Sequence, residues 1–127
     1  MYGDVTGINI IGSSPTISNN IIENCANIIG IIGNSSPVIT RNITRNGANN
    51  GIHLEPSFEG SPQIYENNFD NYNNIGMSSS CSIEAINNWW GTTDPEEIES
   101  RIWHGYDDSS LGTIIYEPFL SQPVALD

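Results

Sequence analysis

Ser-Pro-Thr-Ile-Ser-Asn-Asn at residues 14–20 returns as Ser-Pro-Val-Ile-Thr-Arg-Asn at 36–42 and as Ser-Pro-Gln-Ile-Tyr-Glu-Asn at 61–67. The prolines of these three copies are 22 and 25 residues apart. A second series, in which glycine precedes an apolar residue, recurs at Gly7, Gly30, Gly51 and Gly76 with intervals of 23, 21 and 25 residues. Both series give a period of about 22 residues, and a fixed period of this length is typical of solenoid proteins.

Inside each repeat, apolar residues alternate with polar ones, as in Gly-Ile-Asn-Ile at residues 7–10. Alternation with a period of two indicates short strands rather than helices. The composition agrees, because the chain holds 21 Ile and 17 Asn but 4 Leu. β-Branched Ile suits a pleated core, and Asn tolerates left-handed turns. The sequence therefore predicts an all-β solenoid, with about four coils between Gly7 and Gly91 stacked at about 4.8 Å.

The pattern Gly-Ile-x-Ile, then Ser-Pro-x-Ile-x-x-Asn-x-Ile, and finally Asn-Asn-Trp-Trp-Gly at residues 87–91, extends over roughly the whole chain. It resembles the right-handed parallel β-helix repeat proteins, the pectate-lyase-like superfamily. The resemblance implies a right-handed, single-stranded parallel β-helix of about four coils, with coils at residues 1–91 and a C-terminal cap at 92–127. The superfamily includes polysaccharide lyases, hydrolases, esterases, surface adhesins and proteins with no known activity. The resemblance also implies an extracellular or cell-surface location.

Asparagine recurs at one position of the repeat. Asn20, Asn42 and Asn67 share it, and Asn87 or Asn88 continues it in the fourth coil. We expect these side chains to point inward at a corner, where each amide would bond the next coil and satisfy backbone groups that the turn leaves unpaired. Ordinary exposed turn asparagines are the alternative, and they also explain a second series at residues 24, 46 and 71.

Charged residues also stack when the three proline-anchored copies are aligned. One column holds Glu23, Arg45 and Asp70, and another holds Arg41 and Glu66. Polysaccharide lyases of the superfamily use an arginine or lysine as base, so the resemblance makes Arg41 and Arg45 the candidates for that role. The neighbouring carboxylates favour inter-coil ion pairs instead, each worth about 0–1 kcal/mol when exposed.

Residues 53–59 offer an alternative, catalytic chemistry. Alternation in Gly-Ile-His-Leu-Glu at 51–55 places His53 and Glu55 off the core face. Together with Glu59 and Arg41, they are the candidate site of a carbohydrate-active enzyme. One histidine without a second histidine or cysteine nearby is a weak metal signal, so a solvated surface is the simpler interpretation.

Acidic residues outside the repeats suggest one further site. Asp94, Asp107 and Asp108 carry carboxylates of the kind that bind Ca²⁺. A polar turn before Leu111 is the simpler explanation of Asp107 and Asp108. We therefore expect no cofactor, with calcium as the alternative.

The sequence stops repeating after Gly91 and acquires the signals of a short helix. Asp94 is a suitable N-cap, and Pro95 suits the first helical position. The predicted helix runs to about Trp103, with Ile98 and Ile102 on one face and Trp103 beside them, and it covers the open end of the last coil. A final strand at about residues 113–117 and an extended tail lying back on the body complete the predicted cap.

The three tryptophans have two interpretations. We expect Trp89, Trp90 and Trp103 to pack in the core or the cap, with Trp90 in the inward slot next to Phe69. A sugar-stacking platform is the alternative.

The first coil begins almost directly at Met1–Thr6, with no segment that would cover its edge. An uncovered solenoid end exposes strand edges and core side chains. Either the chain is the C-terminal part of a longer β-helix, or a second copy covers the edge head to head. We expect self-association through this uncapped coil.

The charge narrows the classes of function. Fifteen acidic residues against three basic ones give a formal charge of -12, and there is no lysine. Such a chain is repelled by phosphate backbones, so we expect no nucleic-acid partner. It has no basic patch for anionic lipid, no apolar run near the roughly 18 residues of a membrane span, and no signal peptide at Met1–Asp4. The sequence favours a non-catalytic β-helix scaffold or interaction module of a surface or carbohydrate-associated protein, with a carbohydrate-active enzyme as the alternative.

Overall fold

The structure, a computed structural model, describes residues 6–46, 50–70, 73–105 and 107–125, and within those ranges it consists of short strands and one short helix. Turn-forming Asn, Gly and Ser-Pro keep the strands short. The strands are β1 (Thr6–Ile11), β2 (Thr16–Ser18), β3 (Ile21–Glu23), β4 (Asn27–Ile32), β5 (Val38–Thr40), β6 (Ile43–Arg45), β7 (Asn50–Leu54), β8 (Gln63–Tyr65), β9 (Asn68–Asp70), β10 (Ile75–Met77), β11 (Ile83–Glu84), β12 (Ile102–Trp103) and β13 (Ile114–Ile115), and the helix is α1 (Pro95–Ser100).

Parallel stacks of strands make up the solenoid. The long stack has the order β1, β4, β7, β10 and β12, the second stack has β2, β5 and β8, and the third has β3, β6 and β9. A separate pair joins β11 to β13. The all-β prediction is confirmed: this is a β-solenoid of about four turns, with one short helix in the described ranges. In the described part of the chain, no helix is long and apolar enough to cross a membrane.

The register follows the proline-anchored alignment. The isoleucines that come two residues after the three prolines pair across successive coils, and these are Ile17, Ile39 and Ile64. The glycines of the second series do not stack on one another, because Gly30 and Gly76 both pair with His53. Inward isoleucines set the register, since a slip of one residue would turn them toward solvent.

The core is built from stacked isoleucine columns and closed by aromatic rings near the last regular coil. Ile29, Ile52 and Ile75 pair in consecutive coils and are completely buried. Trp90 is also fully buried, and its ring lies against that of Phe69 with the centroids 4.8 Å apart. This close packing of the core holds the strands whose outer faces are exposed.

The start of the C-terminal segment has the expected capping geometry. The Asp94 carboxylate accepts the Glu96 N–H at 3.0 Å, and Pro95 is the first helical residue. Ile98, on the inner side of α1, is fully buried.

The predicted helix to about Trp103 is wrong. α1 ends at Ser100, and Ile102 and Trp103 form β12, which pairs with β10 and extends the long stack. The cause is a backbone bond: the Arg101 carbonyl accepts the N–H of Asn74 at 2.8 Å, so the chain resumes the sheet. Ile102 is buried as predicted, but Trp103 projects from the outer face, where 54% of it is exposed.

The last described residues run back along the solenoid. The N–H of Leu120 donates to the Asn88 carbonyl at 2.9 Å, and the N–H of Val124 donates to Asn68 Oδ1 at 2.7 Å. The tail therefore passes from the fourth coil to the third along the outside of the third stack.

Candidate functional site

An asparagine column runs through the corner between the second and third stacks. Each Nδ2 donates to the Oδ1 of the next coil, over 3.1 Å from Asn20 to Asn42, 3.2 Å from Asn42 to Asn67 and 3.0 Å from Asn67 to Asn88. The backbone N–H of each donor residue bonds the same oxygen. Three members of the column are fully buried: Asn42, Asn67 and Asn88. The column therefore satisfies polar groups that the corner would otherwise leave unpaired in the core. Its function is structural.

The column of Glu23, Arg45 and Asp70 contains one ion pair. Arg45 Nε lies 2.7 Å from Glu23 Oε2, and both side chains are partly exposed. Asp70 follows in register, although the described contacts include no ion pair between it and Arg45. The Glu23–Arg45 pair is of the exposed kind that contributes about 0–1 kcal/mol.

Arg41 and Glu66 stack through their backbones rather than their charges. The Arg41 N–H donates to the Glu66 carbonyl at 3.0 Å, and both residues have left-handed φ angles, of 57° and 55°. The guanidinium donates to the Ala125 carbonyl at 3.2 Å. Among the described contacts Arg41 and Glu66 form no ion pair, because the C-terminal tail supplies the partner of the arginine.

His53 lies on the outer face of the long stack between two glycines. It pairs with Gly30 of the preceding coil and with Gly76 of the following coil, and Gly76 pairs in turn with Trp103. Glycine within a strand leaves room for another group to approach the backbone. Other side chains use the room that the two glycines leave: Asn9 Oδ1 lies over Gly30 and the Asn50 amide lies over Gly76. Trp103 lies beyond Gly76 in the same register.

Ser78 and Glu55 complete an arrangement around His53. The imidazole Nε2 lies 3.0 Å from Ser78 Oγ, and Nδ1 lies 3.1 Å from Glu55 Oε1. The carboxylate is at ion-pair distance from Nδ1 but outside hydrogen-bond alignment with it. Ser78 follows β10, and its N–H donates to the Leu54 carbonyl at 2.8 Å, which fixes it beside Glu55. A hydroxyl, an imidazole and a carboxylate in this order are the components of an activated nucleophile.

A cleft of about 300 Å³ opens beside these residues. Its floor is Gly76, and its walls include Asn50, Asn73 and Trp103 as well as His53 and Ser78; we name it the Gly76 cleft. The Asn50 amide lies directly over the floor, since a Cβ added to Gly76 would be 2.6 Å from Asn50 Oδ1 and 2.8 Å from its Nδ2. A side chain at position 76 would therefore displace the amide.

The other two members of the predicted catalytic group lie elsewhere. Glu59 forms a parallel bridge with Asn34 and is exposed, and Arg41 lies at the corner between β5 and β6. Of the four residues expected to cooperate, the structure brings together His53 and Glu55.

A larger recess, of about 550 Å³, lies over β8 and β11. Its lining includes Tyr65, Glu84 and Ile115 but no histidine. It offers a surface for contact, with Glu84 as its acidic group.

The second histidine, His104, is completely buried near the C-terminal end. Its Nδ1 accepts the backbone N–H of Ile114 at 2.9 Å, and its Nε2 bonds the Glu99 carboxylate. A ring nitrogen that accepts an N–H carries no proton, so the proton of the neutral ring is on Nε2 and is donated to Glu99. His104 thereby joins α1 to β13.

Glu99, His104 and Asp107 are the one group of three metal-ligating side chains found in the described ranges, with their ligand atoms within 4.8 Å of one another. A metal on Nε2 would require the ring proton to move to Nδ1, where the Ile114 N–H already points. The group therefore fits a hydrogen-bonded structural cluster better than a metal centre.

The aspartates proposed as calcium ligands do not form such a group within the described residues. Asp94 caps α1, while Asp107 Oδ2 accepts the His104 N–H at 3.1 Å. Asp108 is fully exposed, and its pKa is held below the ordinary value, first by the backbone N–H of Ser110 and then by the Ser110 hydroxyl. These bonds are those of a polar turn.

Sequence reasoning identified His53 and Glu55 but missed Ser78 and His104. A signal for Ser78 was present, since alternation from the inward Ile75 and Met77 turns Ser78 outward, to the side that carries Glu55. His104 had no comparable signal, because α1 interrupts the repeat just before it.

Comparison of the chain with protein-family models, with curated proteins and with solved structures finds no match.

Proposed function

We propose that this chain is an interaction scaffold, a β-solenoid module that presents the Gly76 cleft to carbohydrate. The observation that carries the proposal is the exposed Trp103 indole beside the amides of Asn50 and Asn73. An indole offers a flat apolar face on which a sugar ring can pack, and amide groups can donate to and accept from its hydroxyls. The formal charge of -12 favours a neutral sugar over an acidic one.

The interior of the solenoid supports this use of the surface. The Gly76 cleft lies across β7, β10 and β12, whose inner residues Ile52, Ile75 and Ile102 are buried. A rigid sheet holds recognition groups in place, so that less freedom is lost when a ligand binds.

The resemblance to the right-handed β-helices of the pectate-lyase-like superfamily supports both a carbohydrate ligand and an extracellular or cell-surface location. It rests on the repeat pattern and is consistent with the parallel stacks. It gives no support to a lyase mechanism here, since Arg45 is paired with Glu23 and Arg41 with the Ala125 carbonyl.

A carbohydrate-active enzyme is the second candidate. The observation that favours it is the 3.0 Å contact between His53 Nε2 and Ser78 Oγ at the edge of the Gly76 cleft. In that case the imidazole, rather than an arginine, would move the proton.

The test of carbohydrate binding is an NMR titration with a panel of neutral oligosaccharides. We expect shifts of the Trp103 indole N–H and of the Asn50 and Asn73 side-chain amides. Trp103→Ala should abolish the shifts, while Ile115→Ala, a matched change of an exposed apolar residue on another stack, should preserve them. Absence of shifts with every sugar, or equal shifts in the Trp103→Ala variant, would contradict the proposal.

The exposed edge of the first coil supports self-association, with a second copy of the chain as the partner. β1, β2 and β3 are each the outer member of their stack, and Ile11 and Ile21 are 65% and 59% exposed. Residues Met1–Val5, which belong to the predicted uncapped entry, lie outside the described residues. Light scattering over a range of concentrations should give more than the monomer mass, and Ile21→Asp should restore the monomer while Ile115→Asp should not. A monomer at every concentration would refute the proposal.

A further inference from the structure

The hydroxyl in the Gly76 cleft is positioned for proton transfer. Ser78 Oγ and His53 Nε2 are 3.0 Å apart, within the roughly 2.6–3.2 Å at which a base can take a proton. The register accounts for this contact: Gly76, directly opposite His53, has no side chain, so the imidazole can reach past it to Ser78. The arrangement thus depends on a strand glycine, two outward side chains and the coil spacing.

Glu55 selects the ring tautomer that this transfer requires. A carboxylate 3.1 Å from Nδ1 favours the proton on that nitrogen. Nε2 is then unprotonated and can accept the Ser78 hydroxyl proton. The carboxylate lies outside hydrogen-bond alignment with Nδ1, and such contacts commonly tighten when a ligand binds.

The cleft also has space and a donor for the reacting group. At about 300 Å³ it is at the lower end of ligand-binding clefts, which range over about 300–1,000 Å³, so it suits a small acyl group. The Asn50 amide lies over Gly76 in the same cleft as Ser78, and a side-chain amide N–H is a donor of the kind that stabilises a carbonyl oxygen as it gains negative charge.

From these contacts we infer that Ser78 is a nucleophile that hydrolyses esters of small carboxylic acids, with His53 as general base and Glu55 as a positioning residue. The serine oxygen attacks the ester carbonyl carbon while its proton passes to His53 Nε2. The carbon–oxygen bond to the alcohol breaks, and the alcohol takes that proton. Water then attacks acyl-Ser78 and gives one proton to Nε2, which returns it to Ser78 as the carboxylic acid leaves.

Esters, rather than amides, suit the strength of this site. The side chains of His53 and Glu55 are 20% and 32% exposed, so the base remains partly hydrated. A partly hydrated pair stabilises charge less than a buried one, and an alcohol leaves more easily than an amine. The inference adds an activity to the proposed scaffold and rests on the same cleft, but it does not require that the cleft bind sugar.

The experiment uses the full chain and p-nitrophenyl acetate. We expect a burst of p-nitrophenol, with one acetyl group located on Ser78 by peptide mass spectrometry. The chain contains no lysine, which reduces competing acylation of amines. Ser78→Ala should reduce the burst to background, and Ser80→Ala, a matched change of an exposed serine two residues away, should preserve it.

Three further variants separate the role of the base from that of the positioning residue. His53→Ala should lower the acylation rate by about a hundredfold or more. Glu55→Gln should lower the rate by about tenfold or more and change its pH profile, with recovery in Glu55→Asp. Melting curves matching those of the unaltered chain would show that the losses do not come from unfolding.

The inference is overturned if the Ser78→Ala burst equals that of the unaltered chain, or if the acetyl group is found on a residue other than Ser78. The sugar titration and the acylation assay of the unaltered chain keep the two proposals distinguishable. Sugar-induced shifts without acylation of Ser78 would support only the scaffold proposal, and acylation without shifts would support only the esterase proposal.

Discussion

The two histidines of this chain each lie beside a glutamate, yet their second ring nitrogens meet different partners. His53 lies on the outer face between two glycines, and its second nitrogen meets a serine hydroxyl. His104 is fully buried, and its second nitrogen is occupied by the backbone N–H of Ile114. A hydroxyl can give up its proton to the ring, whereas a backbone amide cannot. The partner opposite the carboxylate therefore decides whether the ring can accept a proton from its neighbour, as we propose for His53, or holds two elements together, as His104 does.

The tautomers should show the largest difference between the two sites, a complete exchange of the protonated nitrogen. We expect the neutral ring to carry its proton on Nδ1 in His53, next to Glu55, and on Nε2 in His104, next to Glu99. Long-range nitrogen–proton NMR spectra distinguish the two forms directly. The same tautomer in both rings would contradict the comparison.

Removal of each ring should separate stability from activity. His104→Ala leaves the Ile114 N–H and the Glu99 carboxylate without their partner and creates a cavity, so we expect a loss of about 2–4 kcal/mol in the free energy of unfolding. His53→Ala removes a partly exposed ring and should cost less than about 1 kcal/mol. Urea unfolding followed by circular dichroism measures both. Equal losses of unfolding free energy would mean that the two rings contribute equally to stability, which would contradict the comparison.

A smaller effect is expected in the turn that follows His104. The Ser110 N–H and hydroxyl lower the pKa of Asp108, so Ser110→Ala should raise this pKa part of the way to its ordinary value. Because the folded-state pKa is depressed, the associated stability is present above the unfolded pKa and is lost as the pH falls through the folded one. NMR titration of the Asp108 carboxyl carbon measures this pKa. An unchanged pKa in Ser110→Ala would mean that the backbone N–H of residue 110 lowers it without help from the hydroxyl.

The smallest expected effect is that of added zinc. Because the Ile114 N–H occupies Nδ1 and the proton of His104 is on Nε2, we expect Zn²⁺ to leave the melting temperature unchanged. A ligand that bound the folded state would raise it. A zinc-dependent rise that disappears in Asp107→Ala would show that the cluster with Glu99 is a metal site.

The repeated part of the chain could be predicted from sequence because each coil repeats the same requirements. Proline spacing gave the register of the second stack, and the fifth position after proline gave the asparagine column. The same alternation placed His53 and Glu55 on one outer face. Ser78 required one further step, the pairing of coils across Gly76, which the period alone does not give.

The C-terminal segment could not be predicted in the same way. Ile98 and Ile102 are spaced for one helix face, but a parallel strand edge at β10 was available to Ile102, and its backbone pairing with Ile75 ended the helix early. Trp103 was therefore expected in a cap and is found on the open face. Local helix signals, with Asp94 as N-cap and Pro95 as first helical residue, predicted where α1 begins, and tertiary pairing decided where it ends.

The asparagine column has a direction, because every amide donates toward the higher coil. At the first coil this leaves Asn20 Oδ1 as an acceptor to which no donor is assigned in the described part of the chain. A copy meeting that edge head to head would bring a second acceptor oxygen to the same place. A coil added in the same direction would bring a backbone N–H and an amide donor, as each coil does for the next. The column thus has a polarity: its first-coil end presents an acceptor, and its amides all donate away from that end.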